Sequence, residues 1–173
     1  LTALESKYFD NPMPTPLADM DTMVGLAHQK IQALTDHFRP LSSALPWQLH
    51  AAVAYSQQQW QPLGETISAD LEKLAYGLPA RIEGQDKMWM TLAAYFGGEP
   101  HLEDARALTA QQGGDPDNWI DVKQRYPRLT EKRFYRHTEA GFVEADEVLR
   151  KVENTVHYYR ALKVLSAQNE KEL

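Results

Sequence analysis

Apolar residues recur at three- and four-residue spacing along nearly the whole chain, and no stretch alternates with period two over a useful length. The pattern predicts an all-α protein. Met23, Ala27, Ile31, Leu34 and Phe38 share one face of a long helix that Asp19 or Asp21 would cap and Pro40 would end. A second helix is expected over Leu45–Trp60, with Leu45, Leu49, Ala52, Val53 and Trp60 on its apolar face. Pro46 then falls in its first turn, and Ser42 and Ser43 are candidate caps. This helix ends in Tyr55 and three consecutive glutamines, a polar end that must face water, a partner or a cleft.

Further on, Pro62 and Gly64 predict a turn over Gln61–Thr66. Ile67, Leu71, Leu74 and Leu78 mark the next helix, with Ser68 as a cap, and Pro79–Gly84 breaks it. Asp86–Tyr95 reads as helix with Met88, Leu92 and Tyr95 inward, followed by a break at Gly97, Gly98 and Pro100. His101–Gln112 is helical with Leu102, Ala105 and Leu108 inward, and Gly113 and Gly114 stop it. Asp117 is expected to cap a short helix through Arg125, closed by Pro127. Leu129–His137 reads as irregular. The last helix is expected over Thr138–Ala167, with Val148, Val152, Val156, Tyr159 and Leu162 on one stripe and a frayed polar tail, residues 167–173. At the other end, Leu1–Phe9 reads as a short helix or anchored arm and Asp10–Pro16 as a loop.

There is no internal repeat, and 173 residues suit one domain with a sizeable core. Apolar residues at 43% and charged residues at 24% are ordinary for a globular domain. A net charge of −6 argues against a nucleic-acid partner, which requires clustered cations. Without cysteine, disulfides and thiolate metal sites are excluded. The six histidines show no ligand pair at helical spacing, so neither a metal nor another cofactor is expected. No apolar run is long enough to span a membrane. The chain starts at Leu1 rather than Met, as expected of a piece of a longer protein.

Several stretches carry a resemblance. These are Trp89–Asp104, continuing through Ala110; Asn118–Lys123; and Val152-Glu153-Asn154. They resemble the C-terminal catalytic domain of membrane-bound lytic murein transglycosylase F, in the lysozyme-like soluble lytic transglycosylase family. The likeness covers nearly the whole chain, and Leu1–Phe9 resembles the joint to that family's N-terminal solute-binding module. The resemblance implies a lysozyme-like α fold. It also implies cleavage of peptidoglycan between N-acetylmuramic acid and N-acetylglucosamine to a 1,6-anhydro product, with one glutamate as acid and base. Its expected partners are peptidoglycan glycan strands or cell-wall machinery proteins. Its expected location is the periplasm, with outer-membrane association through parts of the full-length protein beyond this chain.

On that pattern Gln57 stands at the glutamate position and Gln58 at the following serine. A side-chain amide has no proton to give near neutral pH. The family's Ala-Tyr-Asn is Ala94-Tyr95-Phe96, keeping Tyr95 and losing a sugar-binding amide at Phe96. Its Gly-Tyr-Ala-Arg-Gly is Gly141-Phe142-Val143-Glu144-Ala145, which puts Phe142 where a tyrosine hydroxyl is expected; Glu147 matches a retained acid. The interval from Trp60 to Trp89 is too short for the family's Gly-rich, Met-ended cleft segment.

Three readings stand open. One is a degenerate, non-catalytic domain that binds peptidoglycan or a regulatory partner. Another is an active lyase with a relocated acid, for which Glu65, Glu72 and Glu99 are candidates that by default face solvent, or an engineered Glu-to-Gln knock-out. The third is a helical support for an N-terminal ligand-sensing module. Separately, Arg125, Arg128, Lys132, Arg133 and Arg136 are interleaved with Tyr126, Phe134 and Tyr135. That cluster reads either as a solvated loop anchored by its aromatics or as a dock for glycan or acidic peptide stems.

Overall fold

The computed structural model describes residues 27–57 and 60–172, and all regular structure among them is helical. The expected arm, loop and caps before Ala27 lie outside the described residues. The chain divides into two compact units, Leu1–Glu72 with Glu153–Leu173, and Lys73–Val152.

In the first unit, α1 spans Ala27–Phe38. Ile31, Leu34 and Phe38 are fully buried, as the spacing predicts. Burial of each such side chain is worth about 1.5–3 kcal/mol relative to exposure. A 3-10 turn, Arg39–Leu41, carries the proline that ends the helix. Next comes α2, Trp47–Ser56, which is shorter than expected at both ends. Pro46 is its N-cap in extended conformation, and no side chain caps it; Ser42 Oγ instead donates to the Arg39 carbonyl. Nor is α2 amphipathic. Leu49, Ala51, Ala52, Val53 and Ala54 are all fully buried, so the helix is enclosed on every face.

Trp60 begins α3, Trp60–Gly77, and the expected turn over Gln61–Thr66 is helix. Pro62 stands in the first turn, where its missing N–H costs nothing. Gly64 marks a close crossing rather than a bend: a Cβ there would sit 2.6 Å from His37 Nε2 and 3.2 Å from the Phe38 ring. Ser68 is not a cap but a buried mid-helix residue. The unit is completed by the second part of α8, Ala145–Glu172. Its helix runs on through the expected frayed tail, with Asn169 buried.

The second unit holds the end of α3, then α4 (Gly84–Gly97), α5 (Glu99–Gln111), α6 (Trp119–Arg125), a 3-10 turn (Tyr126–Thr130), α7 (Lys132–Tyr135) and the start of α8. Leu92, Leu102, Ala105, Val122 and Leu129 are fully buried. The break between α4 and α5 is one residue, Gly98, at φ +96°. Gly97 is the last residue of α4, and the Tyr126 hydroxyl and Val148 leave no room for a side chain there.

The cap of α6 is Asn118, whose side chain accepts from the Asp121 N–H at 3.1 Å, and not Asp117. Asp117 is drawn away by two guanidiniums: it accepts from Arg81 and, at 2.8 Å, from Arg106 Nη2. The long terminal helix starts at Ala145 rather than Thr138. Thr130 Oγ1 donates to the Val143 carbonyl at 2.8 Å and accepts from the Ala145 N–H at 3.2 Å, fixing that start.

Candidate functional site

The polar end of α2 is held by its neighbours in the first unit. Tyr55 packs edge-on against Tyr158 of α8, ring centroids 5.0 Å apart. Ser56 Oγ donates to the Val53 carbonyl at 2.8 Å and lies 3.4 Å from Thr155 Oγ1. Gln57 is the C-cap, and its N–H bonds back to the Val53 and Ala54 carbonyls at 3.2 Å. Its half-buried side chain therefore leaves the helix from a fixed backbone position. Gln58 lies outside the described residues.

One carboxylate of this unit departs from its expected solvent exposure. Glu72 retains only 12% of its side-chain exposure. It accepts from the Ala44 N–H at 2.7 Å, the Leu45 N–H at 3.2 Å and His50 Nε2 at 3.0 Å. A carboxylate can only accept in these bonds, so Nε2 carries the imidazole proton and Nδ1, buried, has no partner. Burial pushes the His50 pKa down, opposed by the hydrogen bond and the charge of Glu72. Glu72 thus ties the segment that leads into α2 to α3 without capping the helix. With three donors on it, its oxygens serve as acceptors that hold the chain before α2. Glu65 is exposed on α3. The sequence signal for Glu72 is its place one turn after Ser68, beside the Ile67–Leu71 stripe.

The remaining candidates belong to the second unit. Tyr95 and Phe96 are both half-buried near the end of α4, edge to face with centroids 5.2 Å apart. Phe142 is 48% exposed and stands edge-on to Tyr135 at 5.5 Å. The loop carrying Phe142 is tied down: Asp104 accepts from the Glu139 and Ala140 N–H groups at 3.3 and 2.9 Å, and Gly141 turns it at φ +78°. Within it Val143 is buried and Glu144 is exposed. Glu147 is an exposed residue of the first turn of α8, paired with Lys151 at 3.5 Å. Glu99, the other candidate acid, is an exposed first residue of α5.

The basic–aromatic stretch is more ordered than its sequence suggests. Tyr126 is fully buried, and its hydroxyl pKa is pushed up to about 12 by burial. Arg125 and Arg128 both donate to Gln112 Oε1, at 3.3 and 2.7 Å. Arg133 and Arg128 lie 4.7 and 5.6 Å from the Phe134 ring centroid. No group of three or more metal-ligating side chains occurs among the described residues.

An all-α arrangement of this order, ending in a long helix, fits the lysozyme-like lytic transglycosylase type of domain that the sequence resembles. The chain is 34% identical over 96% of its length to a protein of Alteromonas mediterranea named membrane-bound lytic murein transglycosylase F, and 31% identical over 97% to the protein of that name in Idiomarina loihiensis. A Vibrio vulnificus protein of the same name is 29% identical over 94%. The chain spans 43%, 44% and 37% of these relatives' own lengths. The Alteromonas and Idiomarina alignments run over 201 and 200 residues, more than the 173 of this chain, so the relatives hold segments that it lacks. No family model matches the chain.

Proposed function

We propose that this domain keeps the lytic transglycosylase scaffold without its catalysis and serves as a peptidoglycan-binding or interaction module in the cell envelope. The observation that carries the reading is Gln57, an amide at the fixed end of α2 where the resemblance implies the sole acid–base glutamate. A general acid is worth on the order of 10²–10⁴-fold in rate. Here the same group would have to act as acid and then as base, so its loss removes both steps.

Three further features support decay of the site over a single exchange. Phe96 and Phe142 replace groups able to hydrogen-bond a sugar. Only six residues separate α3 from α4, and α3 itself fills Trp60–Gly77, which leaves no room for a glycine-rich cleft wall. Among the candidate replacement acids, Glu72 already accepts three hydrogen bonds, and Glu65 and Glu99 are exposed. The envelope location rests on the relatives' names, which make them membrane-bound murein enzymes. No described helix is long and apolar enough to cross a membrane.

The test is incubation with purified murein, followed by cosedimentation and analysis of the soluble products. The reading expects chain in the pellet and no anhydromuropeptides in the supernatant. Release of anhydro products would refute loss of catalysis. A chain that stays in the supernatant would leave structural support of another module as the better reading.

A further inference from the structure

A groove of about 620 Å³ opens in the second unit between α5 and the segment 133–139. That volume suits a small ligand or a short peptide. Ala107, Leu108 and Phe134 supply its apolar surface, while Gln111, Arg133 and Glu139 supply polar groups. The guanidiniums of Arg133 and Arg128 lie 4.7 and 5.6 Å from the Phe134 ring centroid, so a sugar stacking there would compete with them. The groove carries both signs of charge.

Arg133 is 72% exposed and engages Glu131 at 3.2 Å, an exposed pair that an incoming carboxylate can displace at little cost. Among the described residues, the side chains of Glu139 and Gln111 make no hydrogen bond or ion pair. The backbone at Glu139 is held, because Asp104 accepts from its N–H at 3.3 Å.

We propose that this groove binds a short peptide bearing both a free amine and a free carboxylate, with Arg133 on the carboxylate, Glu139 on the ammonium and the Gln111 amide on a peptide bond. A neutral or purely anionic glycan would leave Glu139 without an ion partner, and a purely cationic ligand would leave Arg133 without one. Murein peptides that carry an amine and a carboxylate have this chemistry. Naming them as the source rests on the murein reading above; the preference for a zwitterionic peptide rests on the groove alone.

The experiment is a titration of the whole chain, followed by amide chemical shifts and calorimetry, with four probes. These are the tripeptide Ala-Glu-Lys with free ends, its form acetylated at both amines, its form amidated at its carboxylates, and murein glycan strands freed of peptide. The free tripeptide is expected to shift the amides of residues 107–112 and 133–139. Either blocked form is expected to bind about tenfold more weakly, the loss of one charge-assisted contact. Arg133→Gln and Glu139→Gln should each produce a similar loss without moving the thermal midpoint, since both side chains are exposed.

No shift at millimolar tripeptide, equal binding of the blocked forms, unaffected variants, or glycan strands occupying the groove in place of peptide would each overturn the proposal. Cosedimentation with intact murein separates the two readings. Pelleting without tripeptide binding sinks the groove and spares the murein reading; tripeptide binding without pelleting does the reverse.

Discussion

The two units hold their buried charge in opposite ways. In the first, a neutral imidazole and a carboxylate are paired where water hardly reaches: His50 is fully buried and Glu72 nearly so. The pair ties the entry of α2 to α3. In the second, Arg106 is the buried partner, 8% exposed, and its ligands reach the surface. It donates to the Pro116 carbonyl at 2.9 Å, to Glu103 at 3.0 Å and to Asp117 at 2.8 Å, clamping the loop between α5 and α6. The guanidinium cannot lose its proton, so that clamp is indifferent to mild acid on its cationic side. The imidazole can gain one. The difference teaches that the unit carrying Gln57 is fixed by the more fragile device, while the unit carrying the aromatic candidates is fixed by the more robust one.

The largest effect is expected from Glu72→Leu. The substitution leaves two backbone N–H groups and a buried imidazole without an acceptor. Each buried donor left unpaired costs about 1–3 kcal/mol. Urea unfolding should register the loss, and a change under about 1 kcal/mol, the net worth of one ordinary hydrogen bond, would mean that Glu72 is no latch.

Arg106→Ala comes next, with a cost of about 2–3 kcal/mol from the lost charge-assisted bonds to a part-buried loop. Arg81→Ala, by contrast, should leave the midpoint unchanged, because the Arg81 side chain is 66% exposed and water replaces its contact with Asp117. If the two arginine variants behaved alike, burial would not be what separates them.

A smaller and more specific effect lies in the pH dependence. Burial lowers the His50 pKa in the folded state, so the unfolded chain binds the proton more tightly. The stability contributed is full above the unfolded value, about 6.5, and declines as pH falls below it toward the folded value. His50→Gln should flatten that slope below about pH 6.5 in denaturation curves. A slope of unchanged steepness would place the titrating group elsewhere.

Where packing follows periodicity, the sequence was sufficient. Ile31, Leu34 and Phe38 on α1, and Val148 through Leu162 on α8, are buried as their spacing predicts. The misreadings share a cause in tertiary contact. Pro62 and Gly64 look like a turn. The proline sits in a helix's first turn, and the glycine answers a ring from α1 that nothing nearby in the chain announces. Asp117 and Asn118 are both good caps by type, and two arginines distant in sequence decide between them. Gln57 was expected near the end of the second helix, and it is the C-cap of α2. The role of Glu72 was not legible, because its donors lie 22 to 28 positions away. The groove beside Glu139 was not either, since half of its wall comes from α5 and half from a segment whose charges read as solvated.

On the proposed reading, catalysis was lost across the site and not at one residue. The most direct measurement compares the chain with its Gln57→Glu variant on purified murein, following 1,6-anhydromuropeptides by mass spectrometry. The account predicts none from either protein. Abundant anhydro products from Gln57→Glu would contradict it, because a single carboxyl would then have sufficed to revive the site.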